Sequence, residues 1–329
     1  MELVVADIGG THARFALAQV DGGRVTGLGD PVVLDTPAYP GLESAWAEFA
    51  RRAARPLPKA ASLAVAAPIG GDPVKLTNSG WLLRPSRLDA ELGLDRHLLI
   101  NDFTAVGHAV AAADAGMFAH IAGPDVPLPA SGAISIIGPG TGLGVALLLR
   151  GPRFGAAGYH VQPSEAGHMD FAAIDSFDDA LAARLRSGGR RLFAEQVVAG
   201  HGLVEIARTL AELRGTAAEA RDVKALWAAA VAGKEPIASA ALDRFCQSLG
   251  SVAGDVALAH GANALVVAGG LGARILPRLP ASGFAGRFCA KSPYEALMAA
   301  MPVKLITHPQ PGLFGAAAAF AAWEAAGFA

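Results

Sequence analysis

Two glycine turns, each entered by one apolar run and left by another, constrain this chain most. Val4-Val5-Ala6-Asp7-Ile8 runs into Gly9-Gly10-Thr11 and re-emerges as Arg14-Phe15-Ala16-Leu17-Ala18. Ile134-Ser135-Ile136-Ile137 runs into Gly138-Pro139-Gly140-Thr141-Gly142-Leu143-Gly144 and re-emerges as Val145 to Leu149. Both read as strand, tight turn, strand. Adjacent glycines reach positive φ and let the backbone approach a ligand closely. Their N–H groups, with the Thr11 hydroxyl, can hold phosphate oxygens, and Asp7 at the strand end can face a hydrated Mg²⁺. One such turn is equally an ordinary hairpin. The pair points to an internal duplication with two phosphate clamps.

The 329 residues suffice for about two domains. A hydrophobic fraction of 52% and a mean hydropathy of +0.38 argue against disorder. A formal net charge of −2, with no block of Lys or Arg, argues against a nucleic-acid or membrane-surface partner. Cys246 and Cys289 stand far apart, outside any metal-ligand spacing, and read as reduced, buried thiols. The apolar N-terminal run is too short for a signal peptide, and no apolar run reaches the ~20 residues of a membrane span.

Along the rest of the chain strands alternate with helices, the signature of α/β layers. Pro31–Leu34, Ser62–Ala66, Leu98–Ile100, Ala264–Ala268 and Pro302–Thr307 read as strands. Leu42–Ala54 reads as a helix with Leu42, Trp46 and Phe49 on one face. Ser86 is placed to cap a short helix, and Phe177–Arg186, Arg191–Val198, Leu203–Leu213, Val223–Val231, Ile237–His260 and Gly312–Ala325 read as further helices. The strand Leu98–Ile100 ends in Asn101-Asp102, and a helix follows from about Thr104. Asp102 is either a helix cap or a site carboxylate, since ligands in open α/β sheets lie at the carboxyl ends of strands. A third glycine turn, Gly269-Gly270-Leu271-Gly272, opens a helix after Ala268.

These turns favour a nucleotide, but the P-loop and dinucleotide fingerprints are absent. Asp7-Ile8-Gly9-Gly10-Thr11, Gly138 to Gly144 and Ala268-Gly269-Gly270 instead resemble the phosphate-1, phosphate-2 and adenosine elements of the sugar kinase/actin/heat-shock ATPase superfamily. More narrowly, Ile100 to Val106, Ser164-Glu165-Ala166-Gly167-His168, Thr77-Asn78 and Ala194-Glu195 resemble the bacterial glucokinase family, in its order and approximate spacing from Met1 to about Gly315. The Cys-rich zinc motif of the repressor/open-reading-frame/kinase group is missing, which favours the zinc-free branch. Two positions depart from the family pattern: His12 stands where Asn is usual, and Ala166 where Gly is frequent.

The resemblance implies a two-domain α/β actin-like ATPase (ribonuclease H-like) fold with an interdomain cleft. Residues 1–112 plus 308–329 would form the small domain and 113–307 the large one. It implies ATP and Mg²⁺, glucose as substrate, a cytoplasmic enzyme and a possible homodimer. Asp102 is then the proton acceptor, and Asn78, Asn101, Asp102, Glu165, His168 and Glu195 the sugar contacts. Ala6, Asp7, Ile8, Gly9, Gly10, Thr11, Gly138, Gly140, Thr141, Gly142, Gly269 and Gly270 become the nucleotide contacts, with Asp7 orienting Mg²⁺ through water. Carboxylates and carboxamides suit a polyol because they offer paired acceptors or mixed donors and acceptors. Glu165 and His168, one helical turn apart, are also a zinc-like pair, but no third ligand stands nearby. Other functions fit less well. A kinase for fructose or N-acetylmannosamine shares these residues. A sugar-sensing regulator usually carries a helix-turn-helix ahead of a first strand that here starts at Leu3. A filament or chaperone ATPase has no need of the polyol set. Polyphosphate as donor stays open.

Overall fold

In the computed structural model, residues 1–186, 189–216 and 222–327 are described. The chain runs β1 (Glu2–Ile8), β2 (His12–Asp21), β3 (Arg24–Leu28), β4 (Val32–Asp35), α1 (Leu42–Ala53), β5 (Ala60–Val65), β6 (Val74–Lys75), β7 (Leu82–Leu83), α2 (Leu88–Leu92), β8 (Arg96–Asn101) and α3 (Asp102–Ala112). It continues through β9 (Phe118–Ala122), β10 (Gly132–Pro139), β11 (Leu143–Arg150), β12 (Tyr159–Ser164), α4 (Ser176–Leu185), α5 (Ala194–Val198), α6 (Gly202–Leu213), α7 (Val223–Ala232) and α8 (Pro236–His260). It closes with β13 (Ala264–Val267), α9 (Gly269–Ile275), α10 (Phe284–Cys289), α11 (Glu295–Ala299), β14 (Val303–Ile306) and α12 (Pro311–Ala325). Two compact units result. The first comprises Met1–Asp114, Leu148–Pro163 and His308–Ala329, and the second Ala115–Leu147 and Ser164–Thr307. The boundaries expected from sequence kept residues 148–163 in the large domain; here they group with the first unit.

In the first unit the sheet order is β3-β2-β1-β5-β8, with β4 also on β2. β1 is antiparallel to β2 and parallel to β5, which is parallel to β8. Side chains alternate across a strand, and β1 shows the consequence. Val4, Ala6 and Ile8 pack with Phe15 and with Trp46 and Phe49 of α1, whereas Leu3 and Val5 pack with Ala105 of α3 and Leu313, Ala316 and Phe320 of α12. The sheet is covered on both faces, so its strands read as continuous apolar runs. Phe15 stacks on Phe49 at 5.4 Å and meets the edge of Trp46 at 6.3 Å.

Helix α3 is held from two sides. A Cβ on Gly315 of α12 would overlap the Ala105 carbonyl oxygen, and one on Gly107 would overlap Val161 of β12. Only glycine admits such close approaches. Arg150 donates to the carbonyls of Val110 and Ala111 at the C-terminal end of α3, satisfying groups the helix leaves unbonded. His108 Nδ1 pairs with the Tyr159 hydroxyl at 2.9 Å.

Burial, with a smaller push from His160, lowers the His108 pKa to about 4. An unfolded histidine takes its proton near 6.5, so between those values the unfolded chain binds more protons. This contribution to stability is intact above pH ~6.5 and is lost as pH falls toward 4, by up to about 3 kcal/mol. His108→Gln keeps a hydrogen-bond partner for Tyr159 without titrating. The drop in Tm from pH 7.5 to pH 5 should be smaller in His108→Gln than in the parent; equal drops would remove His108 as the cause.

In the second unit the sheet order is β11-β10-β13-β14-β9. β10, β13 and β14 are mutually parallel neighbours and β9 is antiparallel to β14. Helices α4 to α8 bury Leu181, Leu203, Ile206, Trp227 and Phe245 in one core with Val145, Leu265 and Val267. Among the described residues no helix is long and apolar enough to cross a membrane. Cys246 is buried and Cys289 only partly so, both free.

Candidate active site

The first unit gathers its polar residues along one edge of the sheet. In the parallel set β1, β5 and β8, Ile8 lies opposite Val65, and Val65 opposite Asn101. The carboxyl ends of three adjacent strands therefore carry Asp7, the segment Val65–Ala67, and Asn101-Asp102. Two strand spacings separate the outer members, roughly 10 Å.

Asp7 is the last residue but one of β1, its side chain 25% exposed and Arg14 3.6 Å away. Enclosure raises its carboxyl above the ordinary carboxylate value, and the Arg14 charge opposes that rise. The first turn of α12 lies against it: a Cβ on Gly312 would stand 2.6 Å from the Asp7 carboxylate. The turn after β1 closes through Gly9 N–H donating to the His12 carbonyl at 2.9 Å. The buried Thr36 braces it, its hydroxyl donating to Gly9 O and its N–H to Thr11 O. His12 thus serves the turn through its backbone carbonyl. Its imidazole is part-exposed, 3.6 Å from Asp35. Asn78 takes a left-handed φ of 58° and its carbonyl presses on Gly10, where a Cβ would lie 2.7 Å away. The two line a cavity of about 340 Å³ with Tyr39 and Trp81.

The cap of α3 falls on the residue before Asp102. Asn101 is the cap: its Oδ1 accepts from Phe103 N–H at 2.8 Å and Thr104 N–H at 3.2 Å, and its Nδ2 donates to Ala67 O. Helix α3 consequently begins at Asp102, two residues earlier than expected. One N–H of the Asn101 Nδ2 is used on Ala67 O, and the second donor is not engaged by that bond. Asp102 sits in the first turn of α3, where the helix dipole favours negative charge, and its Oδ1 accepts from Phe103 N–H at 2.9 Å.

In the second unit the residues converge on Leu143, at the exit of the second glycine turn. Glu195 Oε2 accepts from Leu143 N–H at 2.8 Å. A Cβ on Gly167 would overlap Leu143 O, so the Glu165–His168 segment packs against the same residue. Gly140 N–H donates to Gly142 O, and Gly200 N–H to Gly140 O, both at 2.8 Å. Gly269, at φ +82°, packs on Pro139 O, whereas Gly270 faces open space. Thr141 is exposed at the tip.

Glu165 precedes a single 3₁₀ turn, Ala166–His168, rather than an α-helix, and His168 N–H donates to Glu165 O. Ala166 is not among the positive-φ residues, so the change from Gly is unstrained. The His168 ring stacks on Phe193 at 4.9 Å. Among the described residues no three His, Cys, Asp or Glu side chains group as metal ligands. Helix α5 starts at Ala194, three residues later than expected, because Leu192 and Phe193 pair with the strand-like segment Asp170-Phe171. That pairing sets the register of Glu195 with Leu143. Ser86 bonds the Asp72 side chain instead of capping a helix. Sequence reading missed Thr36, Gly200 and Gly312; none carries a local signal, since each acts on residues distant in sequence.

The glucokinase family model matches residues 4–323. The glucokinase of Zymomonas mobilis is 50% identical over 321 residues, covering 98% of both chains. A crystal structure of glucokinase from an Antarctic psychrotroph superposes with a TM-score of 0.80 at 33% identity, covering 97% of this chain and 98% of that one. A repressor/open-reading-frame/kinase glucokinase of Streptomyces griseus, solved with glucose and AMPPNP, shares the fold at TM-score 0.62 and 19% identity, covering 96% and 98%. Matched along nearly its whole length by family, relative and structure, the chain belongs to the glucokinase family.

Proposed function

We propose that this chain transfers the γ-phosphoryl group of ATP to the 6-hydroxyl of D-glucose, giving glucose 6-phosphate and ADP. The carrying observation is the row of Asp7, the Gly9-Gly10-Thr11 turn and Asp102 along the carboxyl ends of β1, β5 and β8. Phosphoryl transfer needs positioning, charge neutralisation and a proton acceptor, and the family residues divide along those lines. Asp102 takes the proton as the sugar oxygen bonds to phosphorus and the bond to the ADP oxygen breaks. Asn78, Asn101, Glu165, His168 and Glu195 hold the sugar hydroxyls. Backbone N–H groups of Gly9, Gly10, Gly138, Gly140 and Gly142, with the Thr11 and Thr141 hydroxyls, hold phosphate oxygens. Ala6 and Ile8 shape the first turn, and Gly269 and Gly270 face the adenosine.

Asp7 fits a hydrated Mg²⁺, since one carboxylate beside phosphate oxygens is a usual donor set for that ion. Bound there, the ion would neutralise phosphate charge. A cytoplasmic enzyme and a homodimer are what membership of the family leads us to expect.

A coupled ADP-release assay with glucose, fructose, N-acetylmannosamine and mannose tests the reading. Glucose should give the highest kcat/KM. A sugar site built from hydrogen bonds rejects analogues lacking a hydroxyl, because its polar groups are then left unpaired. A higher kcat/KM for another sugar would reassign the substrate.

A further inference from the structure

Glu195 stands in two places at once. In the proposed reaction it is a sugar contact, yet one of its carboxylate oxygens is already engaged. Oε2 accepts from Leu143 N–H at 2.8 Å. The same oxygen lies 2.5 Å from where a Cβ on Gly142 would project, so Gly142 is the residue that admits it. Leu143 and Gly142 belong to the second glycine turn, not to a sugar-binding segment. The turn otherwise rests on Gly200 N–H to Gly140 O, and Gly200 O in turn accepts from Trp227 Nε1 at 2.8 Å. The Glu195 carboxylate thus supplies the charge-assisted bond on the exit side of the turn, while Gly200 supplies the neutral one on the entrance side.

We propose that Glu195 is a positioning residue for the nucleotide turn as well as a sugar contact. Oε2 fixes the exit of the Gly138–Gly144 turn, and Oε1 is left for a sugar hydroxyl. The inference rests on the reading of that turn as a phosphate clamp and of Glu195 as a sugar contact. A carboxylate divided in this way explains why a glycine stands at 142: any larger residue displaces the oxygen that anchors the turn. By linkage, whatever bonds Oε1 acts on the turn and whatever loads the turn acts on Oε1.

The test separates the two roles by measuring nucleotide binding in the absence of sugar. The Kd of a non-hydrolysable ATP analogue with Mg²⁺ is determined calorimetrically for the parent, Glu195→Ala, Glu195→Gln and Gly142→Ala, alongside thermal melts and the KM for glucose. Hydrogen bonds to charged groups are the strong class. Glu195→Ala is therefore expected to raise the sugar-free Kd about tenfold or more. Glu195→Gln keeps an acceptor oxygen and should stay within about threefold of the parent for nucleotide, while its KM for glucose rises. Gly142→Ala leaves Glu195 chemically intact but displaces its oxygen, and should weaken nucleotide binding in the direction of Glu195→Ala. That glycine has an ordinary φ, so the effect is steric rather than backbone strain. If Glu195→Ala does not fold, Gly142→Ala and Glu195→Gln carry the comparison. A sugar-free Kd within twofold of the parent in both Glu195→Ala and Gly142→Ala overturns the inference even if the KM for glucose rises. An unchanged KM for glucose with weakened nucleotide binding instead overturns Glu195 as a sugar contact and leaves the turn-anchoring role standing.

Discussion

Asp102→Ala is expected to lower kcat for glucose phosphorylation by about 10² or more while glucose binding is largely kept, a loss of at least ~2.7 kcal/mol of transition-state stabilisation. The expectation follows from the division of labour at the start of α3. Asn101 supplies the cap, with Oδ1 bonded to Phe103 and Thr104 N–H groups and Nδ2 to Ala67 O. Asp102 therefore is not needed to begin the helix, and its removal leaves that capping intact. Asn101→Ala should behave oppositely, losing about 1 kcal/mol of stability through the missing cap with a smaller effect on the chemical step. Steady-state kinetics and calorimetric glucose binding on both variants check the pair. An Asp102→Ala enzyme with near-normal kcat would remove the proton-acceptor role.

The second large effect concerns the fold. Gly315→Ala should cost about 3 kcal/mol or more, because its Cβ would overlap the Ala105 carbonyl oxygen of α3. A backbone carbonyl cannot rotate aside as a side chain can, so α12 and α3 must separate. The apolar contact of Leu313, Ala316 and Phe320 with the sheet loosens with them. Activity should fall too, since α3 carries Asp102 at its first turn. Gly286→Ala is the contrast: it lies within α10, a Cβ there meets nothing within 4 Å, and it should be neutral or stabilising by up to about 1 kcal/mol through helix propensity. Denaturant midpoints of the two variants give the comparison. A Gly315→Ala midpoint equal to that of Gly286→Ala would show that the helices can relax apart freely.

Local pattern carried much of this architecture. The apolar runs at Val4–Ile8, Ser62–Ala66, Leu98–Ile100, Ile134–Ile137 and Ala264–Ala268 lie in strands to within one residue at their ends, because strands covered on both faces need no polar alternation. The longer helices of the second half were legible by their apolar content and length, apart from the start of α5, whereas the short α10 and α11 were missed. There Leu192 and Phe193 have helix-compatible side chains, but their backbone pairs with Asp170 and Phe171. Propensity does not report a tertiary partner that captures the hydrogen bonds first. The strand β12 was missed for a related reason: Tyr159-His160-Val161-Gln162-Pro163-Ser164 is short, carries a proline, and gains its place through Val161 against Gly107.

The candidate site shows the same division. Asp7, the glycine turns and Asn101-Asp102 announce themselves as polar residues and glycines at the ends of apolar strands. Their supports do not. Thr36 bonds Gly9, Gly312 makes room for Asp7, and Gly200 holds Gly140, each across a long sequence separation. Nothing in the neighbourhood of these residues along the chain distinguishes them from an ordinary threonine or loop glycine. Asn101 was legible as polar but not as the cap, since Asn and Asp are equally good capping residues and they stand side by side.

The most direct measurement is ³¹P NMR of the enzyme with ATP, Mg²⁺ and D-glucose, followed in time with a sugar-free control. The account expects the γ-phosphate resonance to be replaced by a glucose 6-phosphate resonance in equal amount to the ADP formed, and the control to stay unchanged. Release of inorganic phosphate at the same rate with and without glucose, or a phosphate ester at another hydroxyl, would contradict it.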